Sequence, residues 1–334
     1  MRTTILSIIV AFLAIGCGTL YLYEVYDRDS QLSQLNALNS NLDLNNSSVL
    51  VVGATAGIGR AIALRFAKAN ASVSVVGRTV SKGTALVEEM HNITSSISFG
   101  SNVTANSLDS GKDRHAFYAY DVSLLANARA LAEEYKQTHT SLDYLVLSPC
   151  IATIQGRTET TEGNDVKMTL HYYTRIALIE ALSDVLKTGK GRVLSVLSGG
   201  EHSLYTGYSS DVELKTDYSI ANAANAAGFY TDVAFSILRD KYPHLTLFHS
   251  SPGFVASDWG TEMPSWLRVL IRVLQASFAT STEACAEFMC APLFDDTIAK
   301  GFHVRGSRGE VAQESVGIEQ ARDTVWAHTL DVLK

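Results

Sequence analysis

Short apolar runs alternate with longer amphipathic segments from Ser48 to the end of this sequence. The short runs are typical of buried strands, and they predict strands at 48–53, 72–76, 116–121, 145–148, 192–198, 245–250 and 301–306. The longer segments repeat at helical spacing and predict helices at 58–69, 122–138, 163–188 and 219–239. Strands that alternate with helices form a parallel sheet with helices on both faces. We therefore expect an α/β fold, with one doubly wound sheet in a single domain over residues 48–334.

The pattern before Ser48 is different. Residues 3–23 carry no charge, and this run is just long enough to cross a bilayer as a helix. It predicts a hydrophobic N-terminal helix, a membrane anchor or signal segment over residues 1–27, followed by a polar linker over residues 28–47. The expected location is a membrane, that of the endoplasmic reticulum, with a single-pass anchor. Secretion after signal cleavage is the alternative, because small residues stand at 16–18.

Composition narrows the function classes. Hydrophobic residues make up 46% of the chain, which allows a sizeable core and excludes global disorder. The net charge of −7 argues against a nucleic-acid partner. The 4 cysteines form no CxxC pair, so we expect no metal site and no disulfide framework. The polar stretch 92–115 predicts a surface loop.

A glycine-rich loop follows the first predicted strand. Gly53, Gly57 and Gly59 stand between that strand and the next helix. Glycines at such places allow a tight turn, close approach of a pyrophosphate to the backbone, and close packing of the helix. The helix N-terminus then offers N–H groups to the anion. The loop, with Thr55 and Ile58, is therefore predicted to bind a nicotinamide dinucleotide.

The end of the second strand bears on which dinucleotide binds. Sites for NAD usually carry an acidic residue there, whereas a cation suits the 2′-phosphate of NADP. Arg78 occupies this place, with Arg60 and Lys82 nearby. A guanidinium can bind phosphate through two hydrogen bonds. NADP(H) is therefore favoured over NAD(H), and the alternative is that Arg78 is only a solvated loop charge.

With this spacing of Gly53, Gly57 and Gly59, the sequence resembles the short-chain dehydrogenase/reductase family over roughly residues 48–310. The resemblance implies a Rossmann-type sheet. It also implies a homodimer, because family members often pair through the helices at 163–188 and 219–239. Further cofactor contacts are implied after the third, fourth and sixth strands, at Asp121, Val122, Ser148, Pro252, Gly253, Val255 and Ser257.

The resemblance also implies a set of catalytic side chains. Ser198, at the end of the fifth strand, would bond the substrate carbonyl oxygen, and Tyr218 would give that oxygen a proton and contact the cofactor. Asn222 stands where the family has a lysine that binds the ribose and lowers the tyrosine pKa. His171 stands where the family has an asparagine, and a packed helix residue is favoured there over a proton relay. The missing lysine should harm alcohol oxidation more than carbonyl reduction.

The segment 254–290 would cover the substrate in this family. Within 263–279, Trp266, Leu270 and Leu274 recur at helical spacing. This amphipathic helix could lie in a membrane interface or close over the core. We expect an NADP(H)-dependent oxidoreductase that reduces the carbonyl, or oxidises the matching alcohol, of a lipophilic substrate. The alternative is a catalytically weak or inactive NADP(H)-binding protein that serves as a sensor or scaffold.

Overall fold

The computed structural model describes residues 24–100, 114–258 and 263–334. The chain divides after Leu42 into two units. In the first unit, residues 24–38 form helix α1, which covers part of the segment predicted as a polar linker. The second unit, Asp43–Lys334, contains the sheet and the candidate site.

The second unit is built around a seven-stranded parallel sheet in the order β3-β2-β1-β4-β5-β6-β7. The strands are β1 Ser48–Val52, β2 Ser72–Gly77, β3 His115–Ala119, β4 Tyr144–Leu147, β5 Arg192–Val196, β6 Thr246–Ser250 and β7 Gly301–Arg305. Their side chains are mostly buried on both sides, as in a parallel sheet that helices cover on both faces. The predicted α/β fold is confirmed.

The helices pack in two layers on this sheet. They are α2 Gly57–Lys68, α3 Val80–Gly100, α4 Leu125–Thr138, α5 Val166–Met168, α6 Thr174–Ala181, α7 Ser183–Thr188, α8 Ile220–Lys241, α9 Ser265–Phe278, α10 Thr282–Phe294 and α11 Ile318–Val332. A π-helical turn, Thr169–Tyr173, joins α5 to α6. Helix α10 packs on α2, α11 on α8, and α4 on α6. The prediction of a loop at 92–115 is wrong in its first part, because α3 continues to Gly100.

The strand order reverses beside β1, whose neighbours are β2 on one side and β4 on the other. The register pairs Val52 with Leu147, so the loops that begin at Gly53 and Ser148 leave the sheet side by side. Such a reversal opens a crevice at the carboxyl edge of a doubly wound sheet, where ligands bind. The fold therefore places the glycine-rich loop at the crevice.

The predicted location of the protein needs a correction. Among the residues that the structure describes, no helix combines the length and the apolar character that a membrane span requires. The expectation of a single-pass anchor is not upheld. The apolar run at 3–23, which gave rise to it, lies outside the described residues.

Candidate active site

The loop after β1 requires its glycines for separate steric reasons. Gly53 has a φ of 82°, and a Cβ there would lie 2.7 Å from the backbone of Ser148. Gly57, with a φ of 56°, opens α2. A Cβ at Gly59 would lie 2.3 Å from the carbonyl oxygen of Gly53. Gly53 and Gly59 leave no room for a side chain and Gly57 has a positive φ, so glycine at these positions lets α2 pack against the loop.

The N-terminus of α2 faces this loop. Its N-cap residue is Ala56, which has no side-chain oxygen to accept from the first N–H groups of the helix. Such groups carry partial positive charge and are suited to an anion. The loop and the helix N-terminus together fit the pyrophosphate of a dinucleotide, as the sequence predicts.

A cavity of about 580 Å³ opens beside the loop, in the crevice between β1 and β4. Its lining contains many of the residues predicted to contact the cofactor, namely Gly53, Thr55, Gly57, Ile58, Arg78, Asp121, Val122, Ser148 and Ser257. The other residues predicted to contact the cofactor are outside this lining, namely Gly59, Arg60, Tyr218, Pro252, Gly253 and Val255. The cavity also takes in Tyr120 and Leu170, which sequence analysis missed although each adjoins a predicted site residue or helix. The contacts themselves stay predictions.

Two arginines near the cavity differ in their partners. The Arg60 guanidinium forms an ion pair with the Glu89 carboxylate of α3. The side chain of Arg78 is 67% exposed, and its Nη1 lies 3.9 Å from the carboxylate of Asp121. Arg78, with Lys82, therefore supplies the positive charge at the wall of the cavity. Arg60 lines a second, neighbouring cavity of about 470 Å³.

The hydroxyl of Tyr218 has a cationic partner that sequence analysis missed. Lys167 of α5 donates from Nζ to the Tyr218 hydroxyl at 3.0 Å and to the carbonyl oxygen of Gln155 at 2.6 Å. Burial, reinforced by the charge of Asp165, raises the pKa of Tyr218 to about 12. The phenol therefore keeps its proton at neutral pH, with an ammonium group beside it. No sequence signal pointed to this contact beyond the place of Lys167 in the predicted helix at 163–188.

Asn222 does not make the contact with Tyr218 that Lys167 makes. Its side-chain amide donates to the carbonyl oxygen of Asp217 at 2.9 Å, and its backbone N–H donates to the Ser219 hydroxyl at 3.0 Å. The bond to Ser219 is the N-terminal cap of α8. In the described part of the chain, no hydrogen bond joins Asn222 to Tyr218.

Ser198 follows β5 and faces a later part of α8. A Cβ at Gly228 would lie 2.5 Å from the Ser198 hydroxyl oxygen, and Gly228 comes about 12 Å along the helix axis from Ile220, at 1.5 Å per residue. No hydrogen bond between Ser198 and Tyr218 is present among the described residues. Their joint action on one substrate oxygen stays a prediction.

His171 lies in the π-helical turn and is packed. Its Nε2 accepts from the backbone N–H of Ile151 at 3.3 Å. Burial, with the nearby charges of Arg175 and Lys167, lowers the pKa of His171 to about 3. The imidazole is therefore neutral in the physiological range, which suits a packed residue better than a proton relay.

Helix α9 carries apolar side chains on the face that points to solvent. Ile271 and Gln275 are buried on the inner face, whereas Trp266 is 71% and Val273 58% exposed. The Gln275 side chain donates to the carbonyl oxygen of Val255 at 3.0 Å. The amphipathic pattern thus does not close over the core, because most of its apolar residues face outward.

A family model described as short chain dehydrogenase matches residues 47–210. Oxidoreductase AN1596 of Emericella nidulans is 29% identical over 232 residues, which cover 68% of this chain and 64% of that protein. Short-chain dehydrogenase/reductase SAT2 of Stachybotrys chartarum is 27% identical over 270 residues, which cover 67% of this chain and 76% of that protein. The chain thus spans less than two thirds of the length of the first of these relatives.

Solved structures resemble the fold. An alcohol dehydrogenase from Thermococcus sibiricus, complexed with 5-hydroxy-NADP, matches with a TM-score of 0.54 and 15% identity, covering 77% of this chain and 94% of that one. A short chain dehydrogenase from Shigella flexneri, complexed with NADP, matches with a TM-score of 0.56 and 18% identity, covering 80% and 99%. At such identities the likeness concerns the fold.

Proposed function

Because the chain belongs to the short-chain dehydrogenase/reductase family, we propose that it is an NADP(H)-dependent oxidoreductase that reduces the carbonyl group of a lipophilic substrate. The observation that carries the proposal is the glycine-lined cavity at the crevice between β1 and β4. The glycine loop and the N-terminus of α2 would hold the pyrophosphate there. When bound, the cofactor supplies a hydride to the carbonyl carbon.

The preference for the phosphorylated cofactor rests on charge. Arg78 and Lys82 line the cavity beyond the end of β2, where a 2′-phosphate would lie. The nearest acidic group, Asp121, is 3.9 Å from the Arg78 guanidinium. This distance leaves Arg78 able to turn toward a phosphate.

The preferred direction follows from Tyr218. Burial holds the pKa of Tyr218 at about 12, so the phenol can donate a proton to a carbonyl oxygen at neutral pH. Lys167 donates to the same hydroxyl, and its positive charge would stabilise the phenolate that remains. Alcohol oxidation would need the phenolate beforehand, which is scarce at this pKa. Carbonyl reduction is therefore the favoured reaction.

The substrate class rests on α9. Arg272 and Gln275 of this helix line the second cavity together with Gly57 and Ser257. The outer face of the same helix exposes Val269 and other apolar side chains to solvent. An exposed apolar face on a helix that also lines a cavity favours a lipophilic substrate.

The test is turnover of the full chain with NADPH on carbonyl compounds of increasing chain length. Replacing Tyr218 with Phe should lower the reduction rate by about a hundredfold or more, because the proton donor is lost. The NADPH dissociation constant should stay within about twofold. Tyr208→Phe, in the short helix Thr206–Ser209, is the matched control and should keep wild-type rates.

One observation favours a second candidate function. The Asn222 side-chain amide donates to the carbonyl oxygen of Asp217 and gives Tyr218 no charge. A catalytically weak NADP(H)-binding sensor would share the cavity and lack the chemistry. NADPH binding without turnover on any carbonyl, unchanged by Tyr218→Phe, would favour that function over the reductase.

A further inference from the structure

A buried network of polar side chains lies behind Ser198. At its centre, Asp232 of α8 accepts from His249 Nδ1 at 2.6 Å on one carboxylate oxygen and from the Ser315 hydroxyl at 2.7 Å on the other. His202 Nε2 lies 2.7 Å from that hydroxyl and 3.4 Å from the Asp232 carboxylate. The side chains of Asp232, His202 and His249 are at most 2% exposed. The function proposed above makes no use of these groups.

The network contacts Ser198 at three atoms. The backbone N–H of Ser198 donates to His249 Nε2 at 3.3 Å. His202 Nδ1 lies 2.8 Å from the carbonyl oxygen of Ser198 and 3.4 Å from its hydroxyl oxygen. Ser198 is therefore held by both histidines.

The hydrogen-bond partners determine the charge of His202. Nδ1 faces a carbonyl oxygen, which can only accept, so Nδ1 carries a proton. At Nε2, the Ser315 hydroxyl gives its single proton to Asp232 and must accept from His202, so Nε2 also carries a proton. His202 is thus an imidazolium ion paired with the Asp232 carboxylate. His249 is neutral, because Nδ1 donates to Asp232 while Nε2 accepts from Ser198.

The electrostatics agree with this assignment. Burial lowers the pKa of His202, but Asp232 and the Ser198 carbonyl raise it by more, so the net pKa lies above the usual value. For His249, burial outweighs Asp232, and the net pKa is lowered. Among the described residues, Arg175 also acts on the network and disfavours a charged His249.

We propose that His202, paired with Asp232, is a positioning residue for Ser198 in carbonyl reduction. The Nδ1 proton bonds the Ser198 carbonyl oxygen at 2.8 Å and also lies 3.4 Å from the hydroxyl oxygen, so His202 has no acceptor to offer the serine and the hydroxyl proton is left to bond a substrate oxygen. A cation behind the serine strengthens that bond as negative charge develops on the substrate oxygen. His202 keeps its proton throughout, and the proton that is transferred comes from Tyr218. The inference rests on the reductase function proposed above.

Helix α8 packs closely against both Ser198 and His202 at Gly228. A Cβ at Gly228 would lie 2.5 Å from both the Ser198 hydroxyl oxygen and His202 Cγ. Gly228 is inside a helix, where glycine is less favourable than alanine. Its presence lets the helix approach the serine and the imidazole together. The helix therefore holds the pair in a fixed geometry.

The test is the pH dependence of kcat for carbonyl reduction by the full chain. In the wild type, kcat should fall as pH rises through the raised pKa of His202, since the cation is lost. His202→Gln should lower kcat by roughly tenfold or more and remove this fall of kcat with rising pH, the alkaline limb of the profile. Asp232→Asn should move the limb to lower pH. His303→Gln, a control on β7 with no part in the network, should match the wild type.

Two further outcomes keep the proposal testable. If Asp232→Asn fails to fold, Ser315→Ala removes one contact of the pair, and it should also shift the limb to lower pH. A limb that survives in His202→Gln, or an unchanged kcat in that variant, overturns the proposal and leaves the reductase function intact. A wild-type protein that binds NADPH and reduces no carbonyl overturns both.

Discussion

Arg60 and Arg78 show how the same residue type takes different roles beside one cavity. Both are predicted to meet the 2′-phosphate of the cofactor. The fold gives Arg60 a carboxylate partner on α3, so its charge is already neutralised. Arg78 remains largely exposed at the wall of the cavity. The proposed preference for NADP(H) should therefore depend on Arg78 far more than on Arg60.

This difference can be measured with the two matched alanine variants. Arg78→Ala should raise the dissociation constant for NADPH by about tenfold, the equivalent of ~1.4 kcal/mol for one charge-assisted contact. The NADH constant should change by less than about twofold. Arg60→Ala should affect both cofactors little. Fluorescence titration with each cofactor gives the four constants, and equal losses for NADPH and NADH in Arg78→Ala would contradict the assignment.

The contact between Lys167 and Tyr218 could not be predicted from the sequence. The glycine loop could be recognised from spacing alone, because steric needs at Gly53, Gly57 and Gly59 are local in sequence. The contact from Lys167 to Tyr218 joins residues 51 positions apart. Only the packing of α5 against α8 brings them together. Ser198 and Ser315 are also far apart in sequence, and the fold brings both hydroxyls to His202.

At the scale of elements, the strands were predictable and several helices were not. Val-rich strands such as β1 and β2 are buried on both faces, and continuous apolar runs reveal such strands. Helix α3 mixes apolar with many Ser, Thr and Asn residues in its second half, and its polar composition resembles a loop. Helix α9 has a clear helical period, but the period alone does not say which face is buried.

The two faces of α9 should respond differently to mutation. Val269→Ser combined with Val273→Ser changes exposed positions and should leave Tm within about 2 °C. Gln275→Ala leaves the carbonyl oxygens of Val255 and Ser257 without this donor, which costs about 1–3 kcal/mol. Its Tm should fall by several degrees, since about 1 kcal/mol corresponds to ~2–4 °C in a domain of this size.

The same variants also test the substrate class. The valine double variant should raise KM for the longest carbonyl substrates several-fold and leave KM for short ones unchanged. Calorimetry and steady-state kinetics provide the two measurements. A large fall in Tm for the valine variant would show that this face is covered in the folded protein, contrary to its exposure.

At the scale of the whole molecule, buried histidines make stability depend on pH. His171 is neutral in the folded protein, with a pKa lowered to about 3 by burial and the charges of Arg175 and Lys167. In the unfolded chain its pKa returns to about 6.5. A base whose folded pKa is lowered contributes its full stability above the unfolded pKa and loses it as pH falls toward the folded pKa. His171 therefore lowers the free energy of unfolding at acidic pH.

His171→Asn removes this titration and keeps an acceptor for the Ile151 N–H. Between about pH 7.5 and pH 5 the wild type should lose ~2 kcal/mol more of its free energy of unfolding than the variant, at ~1.4 kcal/mol for each pH unit below 6.5. Urea unfolding of both proteins at the two pH values measures the difference. A difference in the free energy of unfolding that is the same at both pH values reports only the change in packing. An equal loss in both would mean that the pKa of His171 is the same in the folded and the unfolded protein, so that the imidazole takes up a proton within the fold, and would reopen its role as a proton relay.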